Sequence, residues 1–177
     1  VTRGPIAERR AEDLAASLAQ VIPASIHDND LATETLSITP DQGLPVSVYR
    51  AVRQGQVTGV AFQVTGPGYS GEIAIILGLD HQGRILGTRV LAHTETPGLG
   101  DKIEVSKDEW ILAFDGRSLG DPPADRWAVK KDGGDFDQFS GATITPRAVV
   151  RAVKDGLELF RTHRDTLTTP PVHVVDH

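Results

Sequence analysis

The sequence predicts an α+β fold: an antiparallel sheet built from hairpins, with an N-terminal helix and a C-terminal helix. Three observations carry that prediction. Strand-length segments come in consecutive pairs joined by short polar turns, which returns each strand antiparallel to the last. Helical periodicity marks a segment near the N-terminus and another near the C-terminus. The repeated strand–helix–strand crossovers that build a parallel sheet are missing. With 177 residues the chain fits a single domain, 1–177, long enough to bury a sizeable core.

Taken in order, residues 5–22 are predicted to form the first helix. Ile6, Leu14, Leu18, Val21 and Ile22 fall on one side, Glu8, Arg9, Arg10, Glu12 and Asp13 on the solvated side, and Pro23 stops it. The mixed signs of those charges argue against a basic membrane-surface helix. Residues 24–43 are polar until Thr35-Leu36-Ser37-Ile38-Thr39. A hairpin follows, Val46 to Arg53 and Val57 to Thr65, in which Val60, Phe62 and Val64 alternate as a half-buried strand requires. Glycine-rich residues 66–71 turn sharply into Glu72 to Leu79, which pairs with Arg84 to Ala92 across Asp80-His81-Gln82-Gly83.

His93-Thr94-Glu95-Thr96-Pro97-Gly98-Leu99-Gly100 comes next. Its Pro and glycines make a tight, irregular loop with exposed backbone amides. Ser106-Lys107-Asp108-Glu109 predicts a capping box opening a short helix to Phe114. Residues 115–126, rich in Asp, Gly and Pro, are an exposed loop. Trp127 to Lys131 and Asp135 to Phe139 predict a last hairpin around Asp132-Gly133-Gly134.

That hairpin feeds Ser140-Gly141-Ala142-Thr143-Ile144-Thr145-Pro146. Thr145 is expected as the N-cap of the second long helix and Pro146 as its first residue. Val149, Val150, Val153, Leu157 and Phe160 then recur along one apolar face. A phosphate near Thr143 would meet unpaired N–H groups and the positive end of the helix dipole, and Gly141 and Ala142 leave room for it. The residues alone leave two readings open: such an anion site, or a strand, a turn and a capped helix that bind nothing.

Composition narrows the classes. Hydrophobic residues at 39% and charged residues at 24% are ordinary for a globular protein. A net charge of −6 offers no basic face for nucleic acid. No apolar run approaches the roughly 20 residues of a membrane helix. Without Cys there are no disulfides or thiolate metal sites, which decides neither redox compartment. The six histidines have no metal-ligand spacing. Gly66-Pro67-Gly68-Tyr69-Ser70-Gly71 satisfies G-x-G-x-x-G, but a strand follows it where a dinucleotide site needs a helix. Glu72 occupies the last position of a G-x-S-x-G elbow, and no P-loop occurs. No nucleophile–base or acid–base pair emerges, so no catalytic residue is assigned.

Asp137-Gln138-Phe139-Ser140-Gly141-Ala142-Thr143 matches the pattern D-x-x-[ST]-G-A-T. On this motif, and on Glu95-Thr96-Pro97-Gly98-Leu99-Gly100, the chain resembles the FMN-binding domain family. More narrowly, it is similar to the extracytoplasmic domain of the G subunits of Rnf (Rsx) ion-translocating electron-transport complexes, relatives of the C subunits of the sodium-pumping NADH:quinone reductases. The resemblance runs from about Ile6 to Phe160. It implies a flavin-binding core at about 68–160 and a tail at 161–177. It also implies FMN held on Thr143 by a phosphoester, with Asp137, Ser140, Gly141, Ala142 and Thr145 around the phosphate. Glu95, Thr96, Pro97, Gly98, Leu99 and Gly100 would close over the ring, Leu99 giving apolar and Thr96 polar contact.

The implied partners are the other subunits of the complex and a flavin transferase that attaches FMN from FAD. The implied location is the periplasmic side of a bacterial inner membrane. The chain carries no Met, even at position 1, and the resemblance then implies a membrane anchor upstream. The implied role is electron relay in the pump. Alternatives are a module that binds FMN or phosphate reversibly, and a scaffold domain without a cofactor.

Overall fold

The computed structural model describes residues 14–40 and 43–171. Five strands, β1 (Thr35–Ile38), β2 (Val46–Arg53), β3 (Gln56–Pro67), β4 (Glu72–Asp80) and β5 (Ile85–Ala92), form one sheet in that spatial order. Every neighbouring pair is antiparallel. The α+β expectation holds, and the first two of the three predicted hairpins form. Arg53 pairs with Gln56 to close the first around Gln54-Gly55. In the second, the Asp80 carboxylate accepts the N–H groups of Gln82 and Arg84, both at 2.9 Å.

Strand alternation gives the sheet two apolar faces. Val48, Val60, Phe62, Ile75, Leu77 and Leu79 pack against helix α2 (Ile144–Leu167) through Val149, Val153, Leu157 and Phe160. Ala51, Ala61 and Ile76 point the other way, onto Leu18 and Val21 of helix α1, described at residues 14–21, and onto Ile22 just after it. The first part of the expected N-terminal helix, residues 5–13, lies outside the described residues. Gly78 and Gly87 are register partners on β4 and β5. A Cβ on Gly87 would stand 2.9 Å from Val21 Cα, and one on Gly78 would collide with the Val21 carbonyl. Two small residues therefore let α1 rest on the backbone of the sheet.

The segment from β5 to α2 departs from expectation. It holds short 3-10 turns at Asp101–Ile103, Trp110–Phe114, Ala124–Arg126 and Lys130–Asp132. The capping box does not form: the turn opens at Trp110, whose N–H donates to Asp108 Oδ1 at 2.9 Å. The last hairpin does not form either. Val129 and Phe136 meet in an isolated parallel bridge, with Phe136 N–H donating to Ala128 O at 3.1 Å.

Aromatic packing is the competing term. Trp110, Phe114, Trp127, Phe136 and Phe139 join the core under α2. Ring centroids lie 4.8 Å apart for Phe114 and Phe136, 4.9 Å for Trp127 and Phe136, and 5.1 Å for Trp110 and Phe139. Gathering these rings removes more apolar surface from water than two short strands could offset with ladder bonds.

Candidate functional site

Two tight turns build the site, and they share one geometry. In the first, Phe139 O accepts Ala142 N–H at 3.2 Å, with Gly141 third in the turn at φ +80°. In the second, Thr96 O accepts Leu99 N–H at 3.1 Å, with Pro97 second and Gly98 third at φ +79°. Pro then Gly at these positions is the type II signature, where only the third residue needs positive φ. Asp101 Oδ1 steadies the second turn by accepting Gly98 N–H at 2.9 Å.

The turns meet at their tips. The position a Cβ would take on Gly141 lies 3.6 Å from Leu99 Cδ2. Behind them, Gly100 packs so closely that a Cβ would stand 2.9 Å from both Glu95 Cβ and Thr145 Oγ1. The structure thus brings residues 95–100 against residues 141–145, two stretches far apart in sequence.

Glu95 joins them. Its buried carboxylate accepts the Thr145 hydroxyl at 2.6 Å and the Tyr69 and Ser70 amides at 2.7 Å each. Burial pushes its carboxyl up; the Thr145 hydroxyl, the Ser70 and Tyr69 amides and the nearby His93 outweigh that and hold it below the ordinary glutamate range. His93 Nδ1 accepts Glu95 N–H at 3.0 Å, so Nε2 carries the proton and faces Glu104 at 3.1 Å.

Thr145 is therefore not the N-cap. Helix α2 starts at Ile144, with Thr143 in the cap position and no side-chain cap bond. The Thr145 hydroxyl is drawn to Glu95 because a buried carboxylate is a stronger partner than a local amide donor. Arg147 N–H donates to Thr143 O at 3.1 Å, the first intrahelical bond, so the Ile144 and Thr145 amides precede it as orphans. Pro146 still sits in the first turn, where its missing N–H leaves nothing unpaired.

Asp137 stands apart from this cluster. Its exposed carboxylate pairs with Lys130 Nζ at 2.7 Å, while its backbone carbonyl accepts Trp110 Nε1–H at 2.8 Å. Phe136 and Phe139 are buried and Asp137, Gln138 and Ser140 exposed, so the aromatic core fixes the approach to the turn. Arg147, beside the helix start, is engaged by Asp132 through two contacts of 2.7 and 3.0 Å.

Four participants were missed in the sequence. Trp110 anchors the motif backbone, and Ser70 donates its amide to Glu95. Tyr69 and Ile144 are exposed apolar side chains at the same junction, 71% and 45% accessible, beside Leu99 at 43%. Ile144 was detectable, because it falls on the side of α2 away from the Val149–Phe160 stripe.

A flavin phosphate fits what is present at Thr143. The hydroxyl is uncapped, orphan amides follow it, and Gly141 leaves the near side of the turn without a side chain. Exposed apolar groups flank the turn, as cofactor sites commonly require.

Residues 68–158 match the family model described as FMN-binding domain. The chain belongs to that family. Among similar proteins is the G subunit of the ion-translocating oxidoreductase complex from Cereibacter sphaeroides, 57% identical over 96% of this chain and 77% of its own length. The corresponding G subunit from Stutzerimonas stutzeri is 49% identical over 94% of this chain and 72% of its length. Among solved structures, the C subunit of the Na(+)-translocating NADH-quinone reductase from Parabacteroides distasonis shares the fold with a TM-score of 0.59 at 20% identity, over 93% of this chain and 98% of that one.

Proposed function

We propose that this protein is the electron-transfer subunit of an ion-translocating oxidoreductase, carrying FMN as a phosphoester on Thr143. One observation carries the reading: a complete D-x-x-[ST]-G-A-T motif is folded so that the Thr143 hydroxyl stands uncapped at the start of α2. Membership in the FMN-binding domain family and the G-subunit relatives support the cofactor and the setting. The other subunits of such a complex are its proposed partners, and the periplasmic side of the membrane its proposed location. No helix among the described residues is long and apolar enough to cross a membrane.

FMN, when bound, supplies reversible uptake and release of electrons. The chain's own residues do the rest. The Thr143 side chain makes no cap hydrogen bond, and a threonine hydroxyl is a poor nucleophile by itself, so it is proposed as the acceptor for a separate flavin transferase. That enzyme would join the Thr143 oxygen to the FMN phosphorus of FAD, with AMP leaving and the hydroxyl proton released. The Gly141 turn and the orphan amides of Ile144 and Thr145 hold the phosphate, and Leu99 presents an apolar surface to the ring. Asp137, exposed and lacking contact with the turn, is proposed as a recognition element for the transferase.

Co-expression with a flavin transferase, followed by intact mass measurement after denaturation, tests this. The expected gain is FMN less one water on the peptide that contains Thr143, with none in Thr143→Ala. Acid-stable flavin retained by Thr143→Ala would sink the assignment.

A further inference from the structure

Glu95 belongs to the loop expected to line a flavin, yet its carboxylate faces the protein. It is 4% exposed. Oε1 takes the Tyr69 amide and the Thr145 hydroxyl, and Oε2 takes the Ser70 amide. Among the described residues no salt bridge reaches it. Three neutral donors bond it directly, and His93 lies nearby. All three partners are donors converging on two atoms, a demand that a carboxylate meets and an amide cannot, because an amide nitrogen would face the Ser70 N–H. The surrounding backbone is shaped for it: a Cβ on Gly68 would strike Oε1, and one on Gly100 would press on Glu95 Cβ at 2.9 Å.

We propose that Glu95 is the positioning residue of this site: its carboxylate locks the Tyr69–Ser70 turn, the 95–100 loop and the first turn of α2 into one frame, and its charge lowers the midpoint potential of a flavin on Thr143. The second half rests on the function proposed above. Thr145, bonded to Glu95, is two residues from Thr143. Two-electron reduction with uptake of one proton leaves a negative charge on a flavin ring. A fixed anion without a salt-bridge partner opposes that reduction, most strongly where water is excluded.

The frame is tested on flavin-free protein. Amide exchange at Tyr69 and Ser70 in Glu95→Gln should accelerate about tenfold or more, the equivalent of one lost hydrogen bond to a charged group. Unchanged exchange in the folded variant overturns the frame. The charge effect is tested on protein loaded by the transferase and titrated with dithionite. Glu95→Gln should shift the midpoint potential positive, and an unchanged potential overturns the effect.

Should Glu95→Gln fail to fold, Thr145→Val and Thr145→Ser decide. The valine variant should load more slowly and expose the Tyr69 amide, and the serine variant should restore both. Equal behaviour of the two refutes the frame. A wild-type chain that takes up no flavin refutes the proposed function instead, and leaves the exchange result standing.

Discussion

At the scale of single residues, the site depends on two glycines that no side chain can replace without backbone strain. Gly98 and Gly141 both hold φ near +80° in third turn positions, where an L residue costs roughly 1–2 kcal/mol. The residues alone suggested that Gly141 leaves room for a bulky group. Its surroundings refine that reading, because an added Cβ meets only Leu99 Cδ2 at an ordinary 3.6 Å. Conformation, more than space, selects glycine there. Gly141→Ala should lower stability by about 1 kcal/mol, measured from the denaturant midpoint. It should also slow flavin attachment, because relaxing φ swings the Thr143 hydroxyl. An alanine variant that loads at the wild-type rate would show that the turn geometry is immaterial. The pattern S-G-A-T was legible in the sequence. The pairing of Thr145 with Glu95 was not, since a hydrogen bond spanning fifty positions leaves no local signature.

At the scale of elements, legibility followed periodicity. Strands β2 to β5 are runs of eight or more residues rich in apolar and β-branched side chains and bounded by turn residues, and their bounds came within two residues of the structure. The 93–143 stretch has no period to read. Its order comes from five aromatic rings packing over long range, which turned an expected hairpin into a bridge and a capping box into a 3-10 turn. Helix α2 continues to Leu167, beyond its last predicted apolar residue Phe160. Arg50 on β2 explains where it stops. Its guanidinium donates to Leu167 O at 3.4 Å and Thr169 O at 2.7 Å and lies 3.7 Å from Glu34. It satisfies carbonyls that a helix end leaves unpaired. Arg50→Ala should cost about 2–3 kcal/mol, because it strips a buried charged donor from its acceptors. Flavin attachment should be unaffected, because a 24-residue helix sets the two ends about 36 Å apart. Loss of loading in a folded Arg50→Ala protein would contradict that independence.

At the scale of the whole molecule, the question is whether the domain transforms a substrate or relays electrons. The sheet is a meander, so it has no parallel switch point of the kind where dinucleotides settle. The one G-x-G-x-x-G stretch, residues 66–71, is taken up by the turn between β3 and β4: Gly68 N–H donates to Gly71 O at 2.8 Å, and Tyr69 and Ser70 give their amides to Glu95. Amides already committed to a buried carboxylate are withheld from a pyrophosphate, which would also be repelled by that charge. The proposed flavin site lies at the start of α2, with exposed apolar groups around it. An electron carrier needs only a positioned cofactor that a partner can approach. Loaded protein should therefore be reduced by dithionite and reoxidised by an artificial acceptor, yet show no saturable oxidation of NADH by itself. Stopped-flow absorbance at the flavin band, with and without NADH, makes the comparison. Saturation kinetics with NADH alone would require a nucleotide site on this domain and make it a dehydrogenase in its own right.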